Sequence, residues 1–189
     1  MKDLKKYSVL ILLFVLILFY GCSQQKEIDA FGFAERFEKL QGQLVVSDGI
    51  LTDGDSAMLF VNDAESNEIL ISLFQAEKSQ EIIGLSVTAA ELNESAHKSF
   101  VLAVEAAINA FCTNEKENTA DIIKSLKVAD KPKSGVALEI YRTVYYEYTF
   151  QINEAGADLT VINRFSAPET ESELTLREKD DLNNYTKTY

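Results

Sequence analysis

The stretch SAMLFVNDAESNEILISLFQAEKSQEIIGLSV, residues 56–87, decides how this chain folds. Within SAMLFV, EILISLF and QEIIGLSV the apolar side chains recur at every second residue, the period at which a strand sends its side chains to alternate faces. The separators NDAESN and QAEKS are too short to hold a crossover helix, so the runs they join are antiparallel neighbours. Upstream, QLVVS adds a fourth run, reached through the turn-rich segment DGILTDGD. The expectation is a meander with one packed face and one partly wet face.

Working outward, the period changes to that of a helix on both sides. Before the strands, Asp29 stands at a capping position ahead of AFGFAERFEKL, where Phe33, Phe37 and Leu40 recur at helical spacing and Gly42 supplies a stop. After them, a helix starting near Asn93 or Ser95 runs through FVLAVEAAINAFC. Its stripe of Phe100, Val101, Val104, Ala107, Ile108 and Phe111 wraps onto Leu102 and Ala106, which suits a helix lying on the sheet. Thr119 is placed to cap a shorter helix, ADIIKSLK, which KPKSG ends. In GVALEIYRTVYYEYTFQI, residues 135–152, the positions Leu138, Ile140, Val144, Tyr146, Tyr148, Phe150 and Ile152 read as one face of a long strand, with a bend or bulge at Arg142. NEAG then turns the chain into ADLTVINRF as its partner.

The fold class is therefore α+β: an antiparallel sheet packed against helices, in the order helix, strands, helices, strands. The organisation is a leader over 1–21, a tether over 22–29, one domain over 30–165 and a polar tail over 166–189. The two rounds of helix then strands hint at similar halves, although no matching residues establish a duplication.

The leader opens MKDLKKYSVLILLFVLILFYGCSQQ. Three lysines against one aspartate precede an uncharged run from Tyr7 to Tyr20, the n-region and h-region of an export signal. The apolar core is about 14 residues, short for a permanent span, which takes about 20. With Gly21 directly before Cys22, the segment resembles a bacterial lipoprotein signal peptide. That resemblance covers the N-terminal segment alone. It implies cleavage before Cys22, lipidation of that cysteine as a diacylglyceryl or triacyl adduct with palmitate-type chains, and a mature protein held at the extracytoplasmic face of the cell membrane. The alternative reading of the same run is an uncleaved anchor.

Lys2, Lys5, Lys6 and Asp3 leave with such a leader, so the 18 basic and 30 acidic residues of the chain become 15 and 29, a net charge of −14. That charge repels nucleic acid and anionic lipid headgroups, leaving the lipid on Cys22 as the membrane attachment. No nucleic-acid partner is expected. A lipidated Cys22 also leaves Cys112 without a partner for an intramolecular disulfide. Cys112 falls on the apolar helical face and reads as a buried small hydrophobe rather than a nucleophile.

Candidate sites are few. Asp48, Asp53 and Asp55 gather oxygens in SDGILTDGDSA and are a candidate metal loop, although the alternating spacing of an EF-hand is missing and an Asp-Gly turn accounts for the same residues. Tyr141 and Tyr145, with Glu139 and Glu147, are candidate ligand-binding residues on one strand face, where exposed aromatics beside acids grip a protein, peptide or cationic ligand. Ordinary cross-strand tyrosine pairing explains the same pattern. The single histidine, His97, stands in a polar helix start and reads as solvated; one histidine excludes multi-histidine zinc sites. The absence of a Gly-rich phosphate loop argues against nucleotide chemistry, and no cofactor is expected. The functional expectation is a membrane-anchored binding or assembly module at the cell envelope with a protein or small-molecule partner. The alternatives are a small envelope hydrolase using paired carboxylates and a self-associating structural subunit.

Overall fold

The computed structural model describes residues 28–165 apart from 78, 91, 131–136 and 154–155. The leader, Cys22 and the polar tail lie outside the described residues. The Asp29 side chain accepts the Gly32 N–H at 2.7 Å and caps the first helix, α1 (Ala30–Glu38), as its position predicts. Phe33 and Phe37, one turn apart, are buried and stack with centroids 6.0 Å apart, whereas Leu40 falls beyond the last turn and is exposed. Ile28 is also buried, and its carbonyl accepts the Ile82 N–H at 2.9 Å. The folded unit therefore begins inside the segment read as tether.

Four strands follow as a meander: β1 (Val45–Asp53), β2 (Ser56–Asn62), β3 (Glu68–Gln75) and β4 (Ile82–Ala89). The helical layer comes next, with α2 (Glu94–Phe111), a 3-10 segment (Thr113–Asn118) and α3 (Thr119–Ser125). A second meander closes the fold: β5 (Ala137–Arg142), β6 (Tyr146–Asn153) and β7 (Gly156–Asn163). The seven described strands form one antiparallel sheet in the order β1-β2-β3-β4-β7-β6-β5, so the two meanders meet where β4 pairs with β7. The α+β reading and its element order hold. No described helix is long and apolar enough to cross a membrane.

The helices cover one face. Ala57, Leu59 and Val61 of β2, Ile69, Ile71 and Leu73 of β3, Leu85 and Val87 of β4 and Leu159 and Val161 of β7 are essentially inaccessible. Asn93 caps α2 by accepting the Ala96 N–H at 2.9 Å. From that helix Phe100 reaches Phe150 at 6.2 Å and Phe111 meets Tyr146 edge-on at 5.4 Å. Burying one such ring contributes about 1.5–3 kcal/mol, so these contacts fix how α2 lies on the sheet.

Four sequence readings are corrected. The segment DGILTDGD is not one long turn: β1 continues through it to Asp53, and two extra residues are absorbed as a bulge between Val46 and Ile50, with Gly49 at φ 72°. The tyrosine-rich stretch is a hairpin rather than one strand. At its turn the Thr143 N–H donates to the Tyr146 carbonyl at 2.9 Å and the Thr143 hydroxyl accepts the Tyr146 N–H at 3.0 Å. Thr119 opens α3 but does not cap it by a side-chain bond; its hydroxyl donates to Asn109 Oδ1 at 3.0 Å instead. His97 is buried rather than solvated, with Nε2 2.9 Å from the Val128 carbonyl, so that nitrogen carries the proton and the ring pins the turn after α3 to α2.

Candidate functional site: the helix-free face of the sheet

Among the described residues no helix packs on the other face of the sheet, and strand register alone determines which side chains stand on it. One row runs across all seven strands as Leu51, Met58, Ser72, Ser86, Thr160, Thr149 and Ile140. A parallel row runs Phe60, Leu70, Thr88, Asp158, Gln151 and Leu138. Both are polar at the centre and apolar at the ends. A third row brings Phe74 and Ile162 together over Gly84, where a Cβ would stand 2.7 Å from the Ile162 Cδ1 and 2.8 Å from the Val161 carbonyl. Only glycine lets those two apolar side chains close over β4.

Asp158 occupies the centre. Its Oδ2 accepts the Thr88 hydroxyl at 2.7 Å and the Ser86 hydroxyl at 3.1 Å, and its Oδ1 accepts the Thr160 hydroxyl at 3.0 Å. Each hydroxyl has one proton, so once Ser86 and Thr88 donate to the carboxylate, their 3.2 Å contact sets two acceptor oxygens side by side. The cluster spends its protons inward and turns lone pairs outward. It is arranged to receive donors, and the charge of Asp158 makes cationic donors the best matched.

The face is large. Seven strands at about 4.8 Å spacing give a width of about 34 Å, and strands of about seven residues give a length of about 23 Å, on the order of 800 Å² in all. That is about the area one partner contributes to a standard protein interface.

The residues singled out from sequence are dispersed by the β5–β6 hairpin. Tyr141 and Glu139 stand on the helix side of β5, where Tyr141 approaches Tyr148 at 6.2 Å and Glu139 pairs with Lys127. Glu147 is on the helix-free face and pairs with Arg142 at 2.5 Å. Tyr145 sits in the turn and meets Phe165 edge-on at 6.0 Å. These four do not share one face. The metal candidates are likewise apart: Asp53 and Asp55 flank the Gly54 tip, while Asp48 lies five residues back along β1, on the order of 15 Å away. Among the described residues no three acidic, histidine or cysteine groups are placed to hold a metal ion.

No family model, curated protein or solved structure matches this chain. The assignment of function therefore rests on the chemistry of the face. Other polar clusters serve the fold. Asp63, in the β2–β3 turn, accepts the Glu65 and Asn67 backbone N–H groups at 2.8 and 2.9 Å and the Asn67 side chain at 2.7 Å. It also takes a hydrogen bond from Ser99 on α2, tying that hairpin to the helix. Burial pushes the Asp63 carboxyl up, but the Ser99 and Asn67 side-chain bonds and the two backbone bonds outweigh it and hold the pKa at about 2. Cys112 is buried, and burial drives its thiol far above its ordinary range, which makes it inert at neutral pH.

Proposed function

We propose that this protein is a lipid-anchored, extracytoplasmic binding module that holds a basic protein partner on the helix-free face of its sheet. The observation that carries the reading is the Asp158 cluster, three hydroxyls donating to one carboxylate at the centre of a sheet face flanked by Met58, Phe60, Leu70 and Phe74. A partner bringing lysine or arginine to the centre and apolar side chains to the flanks satisfies both parts. The net charge of −12 favours the same class of partner through long-range attraction. Anchoring follows from the Gly21-Cys22 motif, whose lipid localises the domain while the helical layer keeps the sheet rigid.

The test uses the full-length protein in detergent with a synthetic peptide of alternating lysine and leucine, and a glutamate-leucine peptide for comparison. The lysine peptide binds, binding falls at least tenfold in Asp158→Asn, and Glu105→Gln on the outer side of α2 leaves it unchanged. Equal binding of both peptides, or indifference to Asp158→Asn, overturns the assignment of the face. The anchor is tested separately by intact mass from the native membrane: the wild type carries an acyl-glyceryl adduct that Cys22→Ser lacks.

A further inference from the structure

The sheet has two edges, and they are built differently. At one, β1 is broken by the bulge between Val46 and Ile50, a device that spoils further strand pairing. At the other, β5 keeps unbroken register with β6 from Ala137 opposite Ile152 to Arg142 opposite Glu147. The Thr143 N–H points to β6, and backbone direction alternates along a strand, so the N–H and C=O groups of Leu138 and Ile140 point away from it. Among the described residues no strand lies on that side.

Apolar exposure and charge mark the same edge. Of the eleven large exposed hydrophobic residues among those described, five stand at this corner: Leu138, Ile140, Val144, Tyr145 and Phe165. The carboxylates here are matched, Glu139 by Lys127 and Glu147 by Arg142, and Arg164 adds a further cation that donates to the Thr143 carbonyl at 2.7 Å. On a chain of net charge −12, the described charges at this corner are balanced, which lowers the repulsion a second copy meets from them.

We infer that β5 is a self-association edge, pairing antiparallel with β5 of a second copy about a two-fold axis at Ile140. The register follows from the side chains. Centring the axis on Ile140 sets Ile140 against its own copy, Leu138 against Arg142 and Glu139 against Tyr141, so no like charges oppose. A shift one way sets Glu139 against Glu139; a shift the other way leaves only Ile140 to Arg142 overlapped. Both sheets then join into one, with the two helix-free faces side by side. A strand edge of this length buries less than the about 1,200 Å² of a stable standard interface. The pairing is therefore weak in dilute solution and is favoured where the proposed Cys22 lipid confines copies to a membrane.

The register is tested with Ile140→Cys, Leu138→Cys and Leu51→Cys in full-length protein in its native membrane, oxidised and run on a non-reducing gel beside the parent chain. Cross-strand neighbours have Cβ atoms about 4.5–5.5 Å apart, close enough for a disulfide to Ile140→Cys with small adjustment. Leu138 and its copy are offset by four residues, about 13 Å, beyond bridging distance. Ile140→Cys forms a covalent homodimer at least tenfold faster than the other two. Equal rates for Ile140→Cys and Leu138→Cys, dimers through Leu51→Cys on β1, or an Ile140→Cys adduct with a different protein each overturn the inference. This outcome does not depend on which partner occupies the Asp158 face, so the two proposals fail separately.

Discussion

The two faces of the sheet come from the same strands and differ only in residue parity. Toward the helices, alternate positions are Leu, Ile, Val, Phe and Tyr packed beyond the reach of water; toward the open side their neighbours are Ser72, Ser86, Thr88, Thr149, Thr160 and Asp158 between apolar flanks. A one-residue slip of any strand exchanges the two sets, which is why the register is tightly specified. The difference teaches that the residues carrying stability are separate from those to which binding is proposed. Substitutions on one face should cost folding, and those on the other should cost binding.

The sharpest way to break that division is to truncate each face in turn. Phe100→Ala removes a ring that is fully buried against Phe150 and is expected to cost about 3–5 kcal/mol in urea unfolding. Thr149→Ala on the open face is expected to fall within about 0.5 kcal/mol of wild type. Gly84→Ala tests a place where the open face is tightly packed: its Cβ meets the Val161 carbonyl at 2.8 Å, and because backbone cannot yield as a side chain does, the cost is about 1–3 kcal/mol.

A smaller effect reads the link between hairpin and helix. The folded-state pKa of Asp63, about 2, lies below its ordinary value of 3.8, so its stabilisation is complete above pH 4 and is lost as pH falls through the interval down to about 2. Urea midpoints of wild type and Asp63→Asn should therefore converge between about pH 4 and pH 2, the wild type being the more stable at the upper end. Parallel curves through that interval would remove Asp63 from the account.

The fold was legible where spacing and caps agree. The β2–β4 meander, Asp29, Asn93 and the core positions Phe33, Phe37, Phe100 and Phe111 stand where the sequence places them. The β5–β6 hairpin was hidden because its turn, Thr143 to Tyr145, contains no Gly, Pro, Asn or Asp; the Thr143 hydroxyl and backbone do the work those residues usually signal. That missed turn inverted the parity of β5 and scattered the tyrosine site. Within ADLTVIN, alternation puts Asp158 and Thr160 on one face, but Ser86 and Thr88 come from 72 and 70 residues earlier. Their meeting depends on β4 pairing with β7, a strand order that no local pattern encodes.

Hydroxyl-radical footprinting of the full-length protein, in the membrane to which the proposed Cys22 lipid would hold it and after purification in detergent, tests the central claim most directly. Met58, Phe60, Phe74 and Ile140 report the open face and the β5 edge, while Phe31 on α1 and Leu102 on α2, exposed at 67% and 42%, report the helical side. The account predicts that the first four lose labelling in the membrane relative to detergent and that Phe31 and Leu102 do not. Protection of Phe31 and Leu102, with the sheet residues labelled equally in both preparations, would contradict it and move recognition to the helices.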